Sequence, residues 1–435
     1  MSKLSDDKEA QCSKIPVKIM NRQTAPSIHP IKKIHTGFKP SEGNTYRIDS
    51  EEGVFKLEII YPGAGFGMVQ DKFAALYGMD LLMSGTADQS ASQVSEALDA
   101  LGAYVFKGCD YYTSFLTIYG LNSDIKNILS IVNNTVANCV YPLHELEVFK
   151  SRKISELNIN LNKTSFLANR SINRQILGEN HPFSTISDEA LIRSIEREQL
   201  IAFKDQYLTH PYFIFTGPKD TNIKDILRAT NLPISDNHLL SIGKEMMPDT
   251  GEHIVLIEKS GSTQNSMRLG KILPGRTDKD YFTISLFNLV LGGYFGSRLM
   301  KNIREEKGLT YGIHSSITPF KQFSLFKISS ECNNTLTETV KIEIEKEIKN
   351  LQNELVSEDE LNTAKNYLLG SLLRNFDGAF NISERYKSFL ELESSSDFYD
   401  RYIAAVNTVT SEDLKLCANN YFQFNSFKYC VAGEV

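Results

Sequence analysis

Residues 194–207, SIEREQLIAFKDQY, decide the fold, because a related stretch, TVTSEDLKLCANNY, lies 214 positions further along the chain at residues 408–421. A second pair supports the first. HELEVFKSRKISEL at 144–157 aligns with DELNTAKNYLLGSL at 359–372, at an offset of 215. Two matches at nearly the same offset indicate a duplicated unit. We therefore expect two homologous domains.

Pattern and composition predict where these domains begin and end. We predict an extended N-terminal arm at 1–44, an N-terminal domain at 45–220, a linker at 221–250 and a C-terminal domain at 251–435. Strand-like runs such as VFKLEIIY at 54–61 share each domain with helical patterns. The predicted fold class is α+β, in which each domain is a mainly antiparallel sheet covered by helices.

Within the N-terminal domain, apolar periodicity predicts five helices and, besides 54–61, two more strands. These strands are YYTSFLTIY at 111–119 and YFIFTG at 212–217. The predicted helices are 72–83, 91–101, 123–138, 144–171 and 187–208.

Composition excludes several functional classes. The 435 residues are 41% hydrophobic and 23% charged, with a net charge of −6 and no basic stripe, so we expect a globular protein that does not bind nucleic acid. The six cysteines are scattered, which predicts reduced thiols. The first residues resemble no signal peptide and no apolar run is long enough for a membrane, so we predict a cytoplasmic location.

Familiar catalytic and metal motifs are absent from the sequence. None of the eight histidines is paired at i, i+4, the spacing of a helical zinc site. The glycine-rich LGGYFGS at 291–297 lacks the lysine of a phosphate-binding loop, and we interpret it as a tight turn between helices.

Two motifs point to a known family. The first is LYGMDLLMSGT at 76–86, and the second is LGGYFGSRLMKNIREEKGLTYGI at 291–313. The predicted strand ends at Gly217 and Gly433 support the same assignment. With the duplication, these features resemble the pitrilysin/insulinase family of zinc metallopeptidases, specifically its half-size, two-domain members. The resemblance implies half of a clamshell around a peptide.

The resemblance also implies that this chain has lost the family's zinc site. Active members carry H-x-x-E-H, in which two histidines bind zinc and the glutamate activates water. Leu76 and Asp80 stand at the histidine positions, and Met79 stands at the base. Glu156 falls where a third ligand lies, as a vestigial ligand or a helix-surface carboxylate. Asp80 is either a leftover oxygen ligand or a polar residue facing the chamber. We expect this chain to bind no metal and to be inactive alone.

The second motif keeps Arg304 and Tyr311, the family's substrate-contacting pair. Their retention implies a noncatalytic subunit that binds unfolded peptide and supplies both side chains to a homologous, zinc-bearing partner. Three alternatives remain open: a structural subunit, a self-associating peptide-binding protein that forms a homodimer in isolation, and an active peptidase with unusual ligands. A solvated Arg304 and a half-buried Tyr311 without function are also possible.

Overall fold

A computed structural model describes residues 45–230, 232, 245–392 and 397–435. The predicted arm at 1–44 lies outside these residues. The strands are β1 Thr45–Asp49, β2 Val54–Pro62, β3 Tyr104–Cys109, β4 Thr113–Leu121, β5 Tyr212–Gly217, β6 Ile254–Glu258, β7 Gln264–Pro274, β8 Thr310–Pro319, β9 Phe323–Asn333 and β10 Lys428–Gly433.

The α-helices alternate with these strands in both halves. They are α1 Lys72–Leu81, α2 Ala91–Asp99, α3 Ile125–Ala137, α4 Leu143–Leu161, α5 Thr164–Leu177, α6 Glu189–Ser194, α7 Arg197–Tyr207, α8 Ile223–Thr230, α9 Tyr281–Asn288, α10 Thr337–Asn353, α11 Glu358–Asn375, α12 Ala379–Glu391, α13 Phe398–Thr408 and α14 Ser411–Tyr421. Two π-helical segments, Leu289–Gly293 and Met300–Glu306, follow α9.

The strands form two five-stranded sheets with the same topology. Their orders are β1-β5-β2-β4-β3 and β6-β10-β7-β9-β8. In each sheet one pair is parallel, β1 with β5 and β6 with β10, and the other pairs are antiparallel. The predicted α+β fold with two mainly antiparallel sheets is confirmed. The pattern did not predict β1, β3 or β7.

Two predicted helices are each divided in the structure. The helix predicted at 144–171 ends at Leu161, because the side-chain amide of Asn162 donates back to the Asn158 carbonyl at 3.0 Å and Lys163 has an extended backbone. The helix predicted at 187–208 breaks at Ile195, where a capping box between Glu196 and Gln199 begins a new helix. The sequence predicted one helix in each case because the helices on both sides of each break bury apolar residues, so the apolar pattern continues across the break.

The segment predicted as a linker contains α8. Its Ile226 and Leu227 are buried in the core of the first half. Their burial makes a helix more stable here than an extended connection.

The two halves exchange helices. α5, from the first half, packs against β7 and β10 of the second sheet. α12, which follows α11 as α5 follows α4, packs against β1 and β5 of the first sheet. Each sheet is therefore covered on one face by its own helices and on the other by a helix from the opposite half. This exchange makes burial in each half depend on the other.

Candidate functional site

The helix α1 carries the positions of the zinc motif. Asp71 caps its start, and one carboxylate oxygen accepts from the backbone N–H groups of Phe73 at 3.1 Å and Ala74 at 3.0 Å. Phe73, Ala75 and Leu81 are buried in the core of the first half. The cap and this apolar face hold α1 against the sheet and set the direction of its remaining side chains.

Two of the three motif positions on α1 are packing residues. Met79 is 1% exposed and belongs to the core, and Leu76 is half-buried against the same cluster. A thioether therefore lies where the family has its general base. Met79 accepts no proton from water, so the step that depends on this base has no counterpart in the chain.

Asp80 and Glu156 come close together, as the predicted ligand positions require, but a lysine joins them. Lys153 Nζ lies 3.2 Å from Asp80 Oδ2 and 3.7 Å from Glu156 Oε2. Arg152 Nε lies 3.8 Å from the other oxygen of Glu156. The Asp80 and Glu156 side chains are 44% and 51% exposed, so the group lies at the surface. We call these four side chains the surface charge cluster.

A further lysine approaches α1 from the edge strand. Lys107, on β3, donates from Nζ to the backbone carbonyl of Asp80 at 2.7 Å. Burial lowers the pKa of Lys107, and the nearby Asp80 carboxylate opposes that shift. This contact fixes the end of α1 to β3.

These residues do not fit zinc. Within the described ranges, no group of three or more His, Cys, Asp and Glu side chains could hold a metal ion. The two carboxylates supply hard oxygen ligands without imidazole or thiolate, and the ammonium between them repels a divalent cation. The structure favours Glu156 as a surface carboxylate, and it places Asp80 in an ion pair.

The second half presents the other predicted pair. Arg304 is exposed on the π-helical segment Met300–Glu306, with its guanidinium carbon 5.1 Å from the ring centroid of Phe295. Tyr311 is 86% exposed on β8, where the register shifts between Thr310 and Ile313. Within the described chain, neither side chain makes a hydrogen bond or an ion pair. Both donors are free to contact another molecule.

The structure adds residues that the sequence interpretation missed. Lys153 stands three residues before Glu156 on a predicted helix, and opposite charges at this spacing pair. The sequence therefore already indicated an ion pair between them. Phe295 is 62% exposed within the predicted glycine-rich turn. The first three residues of that predicted turn belong instead to the π-helical segment Leu289–Gly293, and glycine is needed there because a Cβ added at Gly292 would lie 2.9 Å from the backbone nitrogen of Ser315.

Comparisons with known proteins agree with this geometry. Residues 194–368 match the family model described as peptidase M16 inactive domain, and this range includes the second motif. This stretch of the chain is therefore similar to the inactive domains of M16 peptidases. This family is the one that the sequence resembles, and the match supports an inactive M16-like homologue.

Individual relatives extend the similarity beyond this range. An uncharacterized zinc protease of Streptomyces coelicolor is 21% identical over 360 residues, covering 80% of this chain and 78% of the relative. A probable inactive metalloprotease of Bacillus subtilis is 28% identical over 141 residues, 32% of each chain. The crystal structure of a peptidase M16 inactive domain from Pseudomonas fluorescens has a TM-score of 0.78 at 23% identity, covering 91% of this chain and 97% of that one. The last comparison shows the shared fold.

Among the described residues, no helix has both the length and the apolar character needed to cross a membrane.

Proposed function

We propose that this chain is the noncatalytic subunit of a heterodimeric zinc metallopeptidase. It binds an unfolded peptide and supplies Arg304 and Tyr311 to the active site of a homologous subunit that carries the zinc. One observation carries the proposal. The ammonium of Lys153 joins the two carboxylates of the zinc position, while Arg304 and Tyr311 are exposed and make no polar side-chain contact within the described residues.

The two exposed side chains have complementary chemistry. A guanidinium holds a substrate carbonyl through charge-assisted hydrogen bonds, and a phenol donates to an oxygen that gains negative charge at the tetrahedral stage. Phe295 limits the positions that Arg304 can take, because the guanidinium rests on its ring. This chain would therefore supply two electrostatic contacts, while the metal and the general base belong to the partner.

The test compares the chain alone with a mixture containing an H-x-x-E-H homologue from the same source. We expect no cleavage of a quenched peptide by the chain alone, and cleavage in the mixture above that of the homologue alone. Arg304→Ala is expected to lower kcat/KM of the mixture by at least about tenfold, because a hydrogen bond from a charged group contributes about 1.5–3 kcal/mol. Arg228→Ala, an exposed arginine on α8, is the matched control.

The alternatives predict different results. Cleavage by the isolated chain that a chelator abolishes would show an active peptidase and overturn the proposal. A purely structural subunit predicts that Arg304→Ala and Tyr311→Phe leave the activity of the mixture unchanged. A self-associating peptide-binding protein predicts a stable homodimer that binds peptides and gains no activity with the partner.

A further inference from the structure

The two halves differ in what covers the edge of their sheets. In the first half, the chain turns back after β5 and forms α8. Arg47, on the edge strand β1, donates to the carbonyl oxygens of Pro218 at 2.5 Å and Thr221 at 2.9 Å, in the connection between β5 and α8. α8 then packs against α3 and buries Ile226 and Leu227 in the core of this half. This edge is therefore closed by a helix of its own chain.

The edge strand β6 of the second sheet has no such cover. Ile254 and Leu256 lie directly opposite Tyr429 and Val431 on β10, two residues of the core that this sheet forms with its own helices. The pair therefore lies on the face that α8 covers in the first half, yet Ile254 and Leu256 are 60% and 58% exposed. Among the described helices, only α5 packs closely against β6, and it lies on the opposite face.

The residue types at the two edges are the reverse of what their surroundings favour. At the positions of Ile254 and Leu256, β1 carries Thr45 and Arg47, which lie opposite core residues of β5. The polar residues are thus at the covered edge, and the aliphatic residues are at the open edge. Adjoining aliphatic side chains that are exposed together indicate contact with another molecule.

A helix forms the wall beside these side chains. α10 follows β9 as α3 follows β4, each after one short 3₁₀ turn. The Lys341 ammonium of α10 lies 5.1 Å from the ring centroid of Tyr429, and it pairs with Glu338 at 3.1 Å. We call Ile254, Leu256, Tyr429 and Lys341 the β6 surface. It adjoins α10 as α8 adjoins α3, so the duplicated architecture favours a helix as its occupant.

Carboxylates gather at one end of the β6 surface. Glu258 ends β6, and its Oε2 accepts from the backbone N–H of Val435 at 3.2 Å. The Glu434 carboxylate accepts from the side-chain amide of Asn334 at 2.9 Å. Among the described residues, neither carboxylate forms an ion pair. α8 begins at the equivalent end of its sheet, after β5, so a helix in the same orientation would direct the positive end of its dipole at these carboxylates. Lysine or arginine side chains beside it would pair with them.

We propose that the β6 surface binds a basic amphipathic helix of a partner protein, in the orientation that α8 has on the first half. The apolar stripe of that helix packs on Ile254 and Leu256 beside α10. Its lysine or arginine side chains reach Glu258 and Glu434. The inference goes beyond the proposed function, because the β6 surface shares no residue with the proposed substrate-contacting pair and takes a helix instead of an unfolded substrate.

Two fluorescein-labelled, alanine-rich peptides of identical composition test the apolar stripe on the full chain. Both contain leucine and lysine, and both favour a helix. In the striped peptide the leucines recur at i, i+3, i+4 and i+7, and in the spread peptide they are distributed around the helix. Fluorescence anisotropy is expected to show at least about tenfold tighter binding of the striped peptide, because only its leucines meet the β6 surface together.

Paired variants locate the binding. Ile254→Thr with Leu256→Thr should weaken binding of the striped peptide at least about tenfold, since two aliphatic contacts are lost. Val148→Ala with Ile159→Ala, at α4 positions that are 52% and 61% exposed, is the matched control and should leave binding unchanged. Circular dichroism checks that both double variants fold.

A charge variant tests the basic character of the partner independently of the aliphatic pair. Glu258→Gln with Glu434→Gln should weaken binding about threefold at low salt, the scale of exposed ion pairs, and less at high salt. Glu198→Gln, on α7, is the control and should have no effect. A striped peptide with glutamate in place of lysine should bind more weakly than the lysine peptide.

Several outcomes would overturn this inference. These are equal binding of the striped and spread peptides, unchanged binding by the β6 variant, equal weakening by the α4 variant, or binding that is indifferent to both charge changes. Multi-angle light scattering that shows a dimer, converted to a monomer by the β6 variant, would identify a second copy of this chain as the occupant instead. Removal of residues 1–44 that raises affinity for the striped peptide at least about tenfold would identify those residues instead.

Discussion

Two lysines in this molecule each lie between two carboxylates, one at the surface and one in the interior. Lys153 lies between Asp80 and Glu156, and the three side chains are 29%, 44% and 51% exposed. Lys56, on β2, lies 3.3 Å from Glu58 and 2.5 Å from Glu384 of α12. The side chains of Lys56 and Glu58 are 0% and 1% exposed. The arrangements are alike, but their surroundings differ.

The difference teaches how burial decides what a charge pair does. Water screens the surface charge cluster, so its ion pairs add little stability. The buried pair of Lys56 and Glu58 lies where α12 covers the first sheet, and neither of these two ions can be left unpaired without a large cost, whereas the Glu384 side chain is 47% exposed. Burial lowers the pKa of Lys56, but attraction to Glu58 and Glu384 outweighs burial and raises it overall.

The two exchanged helices show the same contrast. α5 buries mainly apolar side chains on the second sheet, among them Ala168, Ile172 and Ile176. α12 buries Ser383 and Lys387 together with its apolar residues. Ser383 donates to Glu58, and Lys387 lies 3.4 Å from Asp110. Equivalent positions in the fold thus carry different chemistry. The α12 junction contains charges from α12 itself, whereas at the α5 junction Arg268 of β7 donates to the neutral amide side chain of Asn169 on α5.

The largest expected effect is from Lys56→Met. Removing the ammonium leaves Glu58 buried without its cation, and we expect the free energy of unfolding to fall by about 3–5 kcal/mol. Urea denaturation followed by circular dichroism measures this. Lys56→Met combined with Glu58→Leu should recover most of the loss, because neither charge of the buried pair remains. A loss below about 1 kcal/mol in the single variant would show that the buried pair resembles the surface one.

The next effect is pH dependence at the α12 junction. Burial raises the pKa of Glu391 to about 7, although Lys387 and the hydroxyl of Thr113 oppose the shift and Asp110 and Glu58 support it. Because the folded pKa lies above the unfolded one, stability from this group is full below pH 4.5 and is lost as the pH rises through 7.

Glu391→Gln should remove this loss. The free energy of unfolding of the variant, relative to that of the unsubstituted chain, should rise by on the order of 3 kcal/mol between pH 4 and pH 8. This follows from about 1.4 kcal/mol for each unit by which folding raises the pKa of Glu391. Urea denaturation at several pH values measures the trend. Glu198→Gln, at an exposed position of α7, is the control and should show no such trend. A difference in stability between Glu391→Gln and the unsubstituted chain that does not change with pH would contradict the expectation.

A smaller effect is expected when zinc ligands are returned to the surface charge cluster. Leu76→His with Asp80→His creates two imidazoles one helical turn apart, with Glu156 as the third ligand. Adding Lys153→Ala should tighten zinc binding at least tenfold, about 1.4 kcal/mol, because the lysine no longer competes for Glu156. Competition with a chromophoric chelator measures the affinity. Lys150→Ala is the control, and equal affinity with and without Lys153 would show that the ammonium does not compete.

The smallest effect is from Lys153→Met in the otherwise unchanged chain. Because the three side chains are solvent-exposed in part, the loss of stability should stay below about 1 kcal/mol. Thermal denaturation at low and high salt measures it, and the small difference should shrink further at high salt. A loss of stability above about 2 kcal/mol would show that the surface charge cluster contributes as much as a buried ion pair, which would contradict the contrast between them.

Much of the fold was accessible from the sequence because its signals are local or repeated. The duplication predicted two related sheets, and alternation and helical periodicity located many of their elements. β1, β3 and β7 were missed, because the short β1 and β3 carry exposed or polar residues at intervals and β7 contains several polar residues that its neighbours bury. Arg304 and Tyr311 were found by their motif, and their role stays a prediction.

The sequence by itself determined the family resemblance, the fold class and the residue types at the zinc motif, since a leucine, a methionine and an aspartate at 76, 79 and 80 cannot supply its imidazoles and base. Only the tertiary structure decided which cation joins Asp80 and Glu156, which helix covers which sheet, and which strand lies at the edge. Those outcomes depend on contacts between residues distant in the chain, such as Asp80 with Lys153 and Lys56 with Glu384, and periodicity does not encode such pairings.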